Sequence, residues 1–460
     1  MAESFDVKGK RVLVVGLGKS GVASALFLHE RGARVTVSDA KAEEQLRSEI
    51  PKLLDKGIAV ETGGHGERTF RQQDLIVVSP GVPASSEALK QALSLGIPVI
   101  GEIELASRFL KGHIIAITGS NGKTTTTSLA GEVVARGGWE SQVGGNIGTP
   151  AISLVAESTD NTYNILEVSS FQLETIETFR PFIATVLNIS PDHLDRHGSM
   201  EAYTAAKQRI FENQKSDDFA VLNADDAICV QMAAGIQPRI YWFSRRKGVE
   251  QGGFVRGERI YLRDPEGEHE IMPVNEIPLK GAHNLENVLA TVCIGGIVHC
   301  EPGRIRNAVK EFKAVEHRLE FVATVNGVEY YNDSKATNVD AAIKALESFP
   351  ANIHIILGGK DKGAPYTPLV PLLRERAKRV YTIGAAAAKI EEEISGSVDV
   401  VKAGTIDIAV RKAAESAQPG DVVVLAPACA SFDQFDNYEQ RGRIFKDLVQ
   451  ALATKKAGQG

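Results

Sequence analysis

The residues most able to do chemistry form a glycine-rich turn at positions 119–125, with the sequence GSNGKTT. The turn follows the apolar run IIAIT, which predicts a buried strand. Backbone N–H groups of such a turn present donors to phosphate oxygens. Lys123 can neutralise the β- and γ-phosphates, and the Thr124 hydroxyl can bind Mg²⁺. The loop is two residues shorter than the common G-x-x-x-x-G-K-[ST] pattern. Strand, glycines, lysine and threonines together nevertheless predict a nucleoside-triphosphate site.

A second glycine turn lies near the start of the chain. Gly16-x-Gly18-x-x-Gly21 follows the apolar run RVLVV and opens a predicted helix over residues 19–31. Asp39 ends the next strand-like run, 23 residues after Gly16. This placement lets a diphosphate approach the backbone at a helix N-terminus. NAD binding is the default interpretation of the pattern, and a plain packing turn in a doubly wound sheet is the alternative.

The two turns together narrow the class of protein. A dehydrogenase has no obvious need for the second loop, and a motor or switch ATPase has none for the first. An enzyme that activates one substrate with ATP, while it holds another substrate tagged with a nucleotide, needs both. The pair of loops favours that third kind of enzyme.

Acidic and imidazole side chains follow two further strand-like runs. Glu167 ends the run YNILE, where a carboxylate can face the phosphate crevice and hold Mg²⁺. Asp192, His193, Asp195 and His197 follow the run FIATVLNIS. The two histidines have the spacing of a zinc pair, but leucine replaces the glutamate of the H-E-x-x-H motif. An oxygen-rich Mg²⁺ site fits better, and we expect His197 to be an ordinary satisfied histidine.

Several polar side chains are ambiguous on local sequence. Lys207 lies in a helical stretch and, taken alone, reads as a solvated lysine. Asn284 and Asn287 share one face at the start of a helix. Their amides can bind an adenine edge or cap the helix. Arg318 can pair with a phosphate through its planar guanidinium.

Composition excludes several classes of protein. Of the 460 residues, 43% are hydrophobic and 24% are charged, which excludes wholesale disorder, collagen and coiled coil. The net charge of −6 argues against a nucleic-acid partner. Four scattered cysteines without a C-x-x-C pair predict reduced thiols. The start of the chain carries no targeting signal, and no apolar run is long enough to span a membrane, so we expect a cytoplasmic protein without membrane insertion.

Apolar runs alternate with helical patterns along the whole chain, which predicts an α/β fold with parallel sheets. The pattern restarts twice, so we predict three domains over residues 1–110, 111–314 and 315–460. The glycine-rich stretch near 247–270 predicts small antiparallel ribbons. Asn326-Gly327 between apolar runs predicts a hairpin.

Seven segments together resemble one known family. In chain order they are TGSNGKTTT, LEVSSFQLE, NISPDHLDRHGSMEAYTAAK, GAHNLENVLA, VEHRLE, NDSKATN and PACASFDQFDNYEQRG. The set is similar to the Mur ligases, and the resemblance spans nearly the whole chain. The D-N-P-R block typical of the diaminopimelate- or lysine-adding relative is absent, while SPGVP and NDSKATN favour a D-glutamate-adding member.

The resemblance implies a Rossmann-like N-terminal domain, a central P-loop ATPase-type parallel sheet and a Rossmann-like C-terminal domain. It implies an ATP- and Mg²⁺-dependent amide ligase of peptidoglycan synthesis. Its implied substrates are UDP-N-acetylmuramoyl-L-alanine and D-glutamate, joined through an acyl phosphate. The short phosphate loop is the normal form in this family. We expect a cytoplasmic monomer with no nucleic-acid partner.

The resemblance also implies site residues. Those for ATP are Gly119, Asn121, Gly122, Lys123, Thr124, Thr125, Asn284, Asn287, Arg318 and Asp333. Those for the UDP-substrate are Leu17, Gly18, Lys19, Ser20, Asp39, Gly81 and Asn146. Those for D-glutamate are Thr337, Lys362, Ser431, Phe432 and Tyr438. Those for metal are Thr124, Glu167, His193 and Lys207, the last as a carbamylated lysine. The catalytic set is Lys123, His193, Lys207 and Lys335.

Three alternatives stay open at this point. One is a non-enzymatic ATP-gated scaffold, although the polar segments in all three predicted domains argue against it. A nicotinamide-dependent dehydrogenase would use the first glycine turn and Asp39. A folate-type polyglutamate ligase would share the central phosphate loop, although the additional N-terminal nucleotide domain argues against it.

Overall fold

The computed structural model of the chain describes residues 5–83, 86–313 and 315–457, without the side chains of residues 67, 195 and 455–457. The predicted role of the Asp195 side chain therefore lies outside the described residues. Within them, the strands form three separate sheets, each covered by helices. We name the three parts the N-terminal, central and C-terminal units.

The N-terminal unit is a parallel sheet of the order β3-β2-β1-β4-β5. Its strands are β1 (Arg11–Val15), β2 (Arg34–Asp39), β3 (Ala59–Thr62), β4 (Leu75–Val78) and β5 (Val99–Gly101). Its helices are α1 (Lys19–Glu30), α2 (Ile50–Leu54), α3 (Glu67–Arg71), α4 (Glu87–Ser94) and α5 (Glu102–Ser107). The first glycine turn joins β1 to α1, at the carboxyl edge of the sheet, as the sequence predicts.

The central unit is a larger sheet of the order β14-β13-β12-β11-β10-β9-β6-β8-β7. Its strands are β6 (His113–Thr118), β7 (Glu140–Gly145), β8 (Thr162–Glu167), β9 (Ile183–Val186), β10 (Phe219–Asn223), β11 (Arg239–Ser244), β12 (Gly252–Arg256), β13 (Arg259–Asp264) and β14 (Gly267–Pro273). Its helices are α6 (Lys123–Gly137), α7 (Ser170–Leu173), α8 (Leu194–His197), α9 (Met200–Gln208), α10 (Ala227–Met232), α11 (Ala282–Ile297) and α12 (Pro302–Glu311). The predicted antiparallel ribbons are the β12–β14 meander, and the other pairings are parallel.

The C-terminal unit has the order β15-β16-β20-β17-β18-β19, parallel except for β15. Its strands are β15 (Glu320–Val325), β16 (Val328–Asn332), β17 (Ile353–Gly358), β18 (Ala377–Ile383), β19 (Asp399–Gly404) and β20 (Val422–Leu425). Its helices are α13 (Val339–Glu347), α14 (Val370–Arg376), α15 (Ala387–Glu393), α16 (Ile406–Ser416) and α17 (Tyr438–Ala457). The hairpin at Asn326-Gly327 is confirmed, and both residues have the positive φ, 56° and 74°, that its turn requires.

The N-terminal and central units share buried apolar surface. Val22 and Ile103 of the N-terminal unit belong to one buried cluster with Ile152, Leu166 and other central residues. By contrast, the two buried clusters of the C-terminal unit contain only residues of that unit, from 319 onward. The first two units are thus joined by a common core, and the third has a core of its own.

A buried carboxylate reinforces the junction between the first two units. Glu104 of α5 accepts hydrogen bonds from the backbone N–H groups of Glu177 and Phe179, each at 2.9 Å, and from the Thr178 hydroxyl at 2.6 Å. Burial raises the pKa of Glu104, but these donors and Arg108 outweigh burial, so the net shift is downward. The charged carboxylate therefore holds the 177–179 turn against α5.

The predicted α/β fold of three sheets is confirmed, whereas the exact boundaries 1–110, 111–314 and 315–460 stay predictions. Throughout the described ranges, the structure has no helix that is both long and apolar enough to cross a membrane.

The two glycines of the first turn should respond differently to alanine. A Cβ at Gly21 would lie 1.8 Å from the Gly16 carbonyl oxygen, whereas a Cβ at Gly18 would have no atom within 4 Å. We expect Gly21→Ala to lower the free energy of unfolding by about 1–3 kcal/mol, the usual cost of overpacking. Gly18→Ala, whose φ of −73° suits alanine, should stay within about 0.5 kcal/mol of the parent. Urea unfolding midpoints measure both variants, and equal destabilisation would contradict this account.

Candidate active site

A cavity of about 480 Å³ lies where the carboxyl edge of the central sheet meets the C-terminal unit. It brings together residues that the sequence assigned to separate groups. Its lining includes Asn121, Lys123, Asn146, Glu167, His193, Lys207, Arg318, Lys335, Thr337, Phe432 and Tyr438. Residues as far apart in sequence as Asn121 and Tyr438 therefore line the same cavity.

The phosphate loop joins β6 to α6 and depends on two glycines. Gly119 and Gly122 have φ values of 146° and 87°, which side-chain-bearing residues rarely adopt. A Cβ at Gly122 would also lie 2.2 Å from the Asn287 side-chain oxygen. Lys123 begins α6, and its Nζ donates to the carbonyl oxygens of Gly119 and Ser120, each at 2.8 Å. The lysine therefore folds back over the loop that it is predicted to serve.

Oxygen donors meet directly behind this loop. The Thr124 hydroxyl donates to Glu167 Oε2 at 2.8 Å, and Asn146 Nδ2 donates to Glu167 Oε1 at 3.0 Å. Lys335, which comes from the C-terminal unit, donates from Nζ to the Thr124 oxygen at 2.5 Å. Burial raises the pKa of Glu167, but the ammonium groups of Lys335 and Lys123 outweigh burial and lower it. An ionised carboxylate beside a hydroxyl is a donor set that suits a hard cation such as Mg²⁺.

Lys207 is buried, and the interpretation of its helical stretch as a solvated face is wrong for this residue. Only 1% of Lys207 is exposed, because the side of α9 that carries it packs against the end of β6. Its Nζ donates to the Gly119 carbonyl oxygen at 2.9 Å and to the Thr118 hydroxyl at 3.2 Å. Burial lowers the pKa of Lys207 well below its usual value, and the neighbouring Lys123 lowers it further. A helical pattern shows amphipathicity only, and the tertiary packing decides which face is covered.

The histidine-rich segment also reaches the cavity. His193 precedes α8 with a left-handed φ of 53°, and its ring centroid lies 4.9 Å from that of Phe171. His197 forms a hydrogen bond with the Ser170 hydroxyl at 2.9 Å and stacks on Phe171. His193 lines the cavity, and His197 is a packed, hydrogen-bonded histidine, as expected.

A second, smaller cleft of about 30 Å³ adjoins the phosphate loop. It is lined by Gly122, Thr125, His283, Asn284, Asn287, Arg318, Asp333 and Lys344, among others. The predicted adenine and ribose residues thus lie together, between the central and C-terminal units. A space of about 30 Å³ holds a few water molecules at most, so a nucleotide base needs a wider cleft.

The paired asparagines of α11 do not cap that helix. Its N-terminal flanking residue is Gly281. Asn284 Nδ2 donates to the Lys280 carbonyl oxygen at 2.7 Å, and Asn287 Nδ2 donates to Asn284 Oδ1 at 3.1 Å. The capping interpretation is therefore wrong, and the amides form a chain along the cleft.

Two residues of this cleft have strongly shifted titrations. Burial lowers the pKa of His283 to about 3, so its imidazole is neutral near pH 7. Sequence reasoning did not assign His283 a role, although it directly precedes Asn284. Burial raises the pKa of Asp333 to about 6, and Arg318 counteracts this shift.

The residues predicted for the UDP-substrate lie mainly at the carboxyl edge of the N-terminal sheet. Asp39 accepts hydrogen bonds from the backbone N–H of Leu17 at 2.7 Å and from that of Lys41 at 2.9 Å. Asp39 thus supports the glycine turn from behind. Gly18 and Lys19 are exposed at the turn.

Arg196 of α8 connects the central unit to the loop that contains Gly81. Its guanidinium donates to the carbonyl oxygens of Pro80 and Val82, each at 3.1 Å, and lies 3.8 Å from the centre of the Phe171 ring. Sequence analysis missed this residue, because local sequence does not reveal a contact over more than 100 positions.

The residues predicted for D-glutamate come from three loops of the C-terminal unit and from the first residue of α17, Tyr438. Lys362 Nζ lies 3.5 Å from the Thr337 hydroxyl and 3.7 Å from Asp192. Phe432 is 68% exposed and lines the cavity, whereas Ser431 is buried beneath it. An aromatic side chain so exposed at a cavity mouth is available to a ligand.

A buried arginine of α17, which sequence analysis did not assign, holds two of these loops together. Arg441 is fully buried, and its guanidinium donates to the Ser334 hydroxyl at 3.0 Å and carbonyl oxygen at 2.8 Å. It also donates to the Cys429 carbonyl oxygen at 3.2 Å. The buried guanidinium thus fixes the turns that follow β16 and β20.

Comparison with known domain families gives three matches in chain order. Residues 10–101 match the Mur ligase MurD-like N-terminal domain, residues 117–295 the Mur ligase middle domain, and residues 317–429 the Mur ligase glutamate ligase domain. The phosphate loop, Glu167 and Lys207 lie in the second match. None of these matches supports the dehydrogenase alternative.

Similar chains and structures agree. The chain is 66% identical over 452 residues to the UDP-N-acetylmuramoylalanine–D-glutamate ligase of Koribacter versatilis, which covers 98% of this chain and 100% of that protein. It is 60% identical to the enzyme of the same name from Acidobacterium capsulatum, over 97% of both chains. Among solved structures, the UDP-N-acetylmuramate-alanine ligase of Thermotoga maritima matches with a TM-score of 0.60 and 19% identity, over 96% of this chain and 99% of that one.

That structural match shows the fold alone, whereas the sequence matches extend over the whole site. The residues of the cavity, the short phosphate loop and all three sheets fall within them. The chain therefore belongs to the Mur ligase family of ATP-dependent ligases.

Proposed function

We propose that the chain joins D-glutamate to UDP-N-acetylmuramoyl-L-alanine at the expense of ATP, in peptidoglycan synthesis. The observation that carries the proposal is the single cavity that collects Lys123, Glu167, Lys207, Lys335 and Tyr438 from two units. The two relatives described above, which bear the name of this reaction, are 66% and 60% identical to this chain over nearly its whole length.

The reaction has two steps on a carboxyl group. The alanyl carboxylate attacks the γ-phosphorus of ATP, an acyl phosphate forms, and ADP leaves. The amine of D-glutamate then attacks the acyl carbon, the amide C–N bond forms with loss of a proton, and phosphate departs with the C–O electron pair. Carboxylate and triphosphate repel each other, so catalysis needs positive charge fixed at their meeting point. Lys123 and Lys335 supply that charge.

Mg²⁺ fits the oxygen donors of the cavity. We propose that Thr124, Glu167 and His193 are ligands for Mg²⁺, and that a modified Lys207 would supply an oxygen ligand for a second Mg²⁺. When bound, these ions would supply positive charge to the phosphate oxygens. The position of the Lys335 ammonium, 2.5 Å from the Thr124 oxygen, supports an environment that favours cations.

The burial of Lys207 supports its proposed conversion to a carbamate. Only a neutral amine attacks CO₂, and burial without an adjacent hydrogen-bonded carboxylate favours the neutral form. The N–C bond forms, a proton leaves, and the product carries an anionic oxygen pair. A neutral amine in a buried site thus becomes an anionic group whose oxygens can bind a metal ion.

The other substrates are assigned to the remaining edges. We propose that the turn around Leu17, Gly18, Lys19 and Ser20, supported by Asp39, holds the uridine diphosphate, with Gly81 and Asn146 nearer the sugar. Thr337, Lys362, Ser431, Phe432 and Tyr438 are proposed to hold D-glutamate. We further propose Asn284 and Asn287 for adenine, and Arg318 and Asp333 for the ribose and phosphates.

We also propose a monomer that acts in the cytoplasm, where ATP and nucleotide-linked sugars are available.

Phosphate release with a panel of amino acids tests the proposed function. With ATP, Mg²⁺ and UDP-N-acetylmuramoyl-L-alanine present, D-glutamate should support turnover, and L-glutamate and D-aspartate should not. Turnover without ATP, or with no dependence on the UDP-sugar, would refute the proposal.

Lys123→Ala should abolish phosphate release, because the substitution removes a positive charge from the phosphate loop. The affinity for the UDP-sugar should stay nearly unchanged, since that substrate is assigned to the other glycine turn. Calorimetric titration measures the affinity, and a phosphate assay measures turnover. A parallel loss of both would show that the two loops are not separate sites.

Lys207→Ala should lose at least about 100-fold in activity, the scale on which a group that stabilises transition-state charge acts. Short carboxylic acids such as formate should restore part of the activity, because they can occupy the space of the carbamate. Lys215→Ala, at an exposed lysine just beyond α9, is the control and should need no rescue. Absence of rescue at every acid concentration would count against the carbamate.

A further inference from the structure

A carboxylate of the C-terminal unit is hydrogen-bonded to two loops of the central unit. Asp340, in the first turn of α13, accepts a hydrogen bond from Asn121 Nδ2 at 2.5 Å and from the Ser190 hydroxyl at 2.9 Å. Lys344, one helical turn later, lies 3.0 Å from the same carboxylate oxygen. A single oxygen therefore joins three donors from two units.

The two central loops are already bound to each other. The Asn121 N–H donates to Asn188 Oδ1 at 2.9 Å, and Asn188 Nδ2 donates back to the Asn121 carbonyl oxygen at 3.1 Å. The hydroxyl of Ser120 and the backbone of Ser190 are paired in the same way, at 2.9 Å in each direction. Asp340 thus contacts a preformed joint between the ends of β6 and β9, of which the phosphate loop is one half.

Among the described residues, no buried apolar cluster joins the C-terminal unit to the central unit. The buried clusters of the C-terminal unit contain none of the described central residues. A hydrogen bond to a charged group contributes more than a neutral one, and Asp340 is only 27% exposed. Lys344 offsets its negative charge, so the carboxylate can lie next to a phosphate site without strong repulsion.

We propose that Asp340 is a positioning residue that holds the C-terminal unit against the phosphate loop, and so brings the D-glutamate residues to the acyl group. Its polar partners are Asn121, Ser190 and Lys344, so we assign it a role through these residues and not through the reacting atoms. The inference rests on the proposed function for its kinetic consequence, but the contact itself is testable without turnover.

Asp340→Ala should raise KM for D-glutamate about tenfold, within the usual range of coupling between sites. KM for the UDP-sugar should not change, because its uridine diphosphate is assigned to the glycine turn of the N-terminal unit, which Asp340 does not contact. Glu347→Ala, an exposed acid on the same helix, is the matched control and should behave as the parent.

The alternative is a purely structural role for Asp340, because an acidic residue in the first turn of a helix stabilises that helix. A purely structural role would therefore lower Tm and leave the two KM values in their parental ratio, which would overturn the proposal.

Two measurements separate this inference from the proposed function. Small-angle scattering of the free proteins should give a larger radius of gyration for Asp340→Ala than for the parent and for Glu347→Ala. Equal radii would overturn the inference whatever the enzyme ligates, and failure of the parent with D-glutamate would overturn only the function.

A double-mutant cycle tests the bond itself. Ser190→Ala should reproduce part of the effect on the radius, and the double variant should add less than the sum of the two single effects. Asp340→Asn, which retains an acceptor oxygen, should recover part of the loss. Strictly additive effects, or no recovery with asparagine, would count against a direct hydrogen bond.

Discussion

The site depends on the electrostatic interaction between the buried carboxylate of Glu167 and the ammonium groups of Lys123 and Lys335. The Glu167 carboxylate lies at the end of β8 among a threonine hydroxyl, an amide and two ammonium groups. A buried carboxylate without these partners would take up a proton, since burial alone raises its pKa. One of the two ammonium groups, that of Lys335, comes from the C-terminal unit, so the charge of a central residue depends on the contact between units.

Each of the three sheets has loops at the carboxyl ends of its strands, where a ligand can bind. Parallel strands place loops and helix N-termini at that edge, and anionic ligands bind there. The glycine turn of the N-terminal sheet and the phosphate loop of the central sheet both have this position. The turns after β16, β17 and β20 repeat it in the C-terminal sheet. In the proposed function, the three substrates bind at the same kind of edge in three different sheets.

The two junctions between units differ in physical kind. The N-terminal and central units share apolar side chains and the buried Glu104, and separating them would expose this surface to water. The C-terminal and central units are connected by a hydrogen bond that Asp340 accepts and by hydrogen bonds that Asn338 and Lys335 donate. Water can replace a polar contact at modest cost, so the third unit is the one whose position can depend on ligands.

The sequence by itself determined the α/β class, the two glycine turns, the hairpin at Asn326-Gly327 and the family. These features depend on local patterns, because strand periodicity, a glycine with positive φ and a strand-to-helix turn are properties of neighbouring residues. Only the tertiary structure decided that Lys207 is buried, that Asn284 does not cap its helix, and that Arg441 and Asp340 hold distant loops. Burial and pairing across more than 100 positions depend on how sheets and helices pack, and one local sequence is compatible with both a solvated and a buried face.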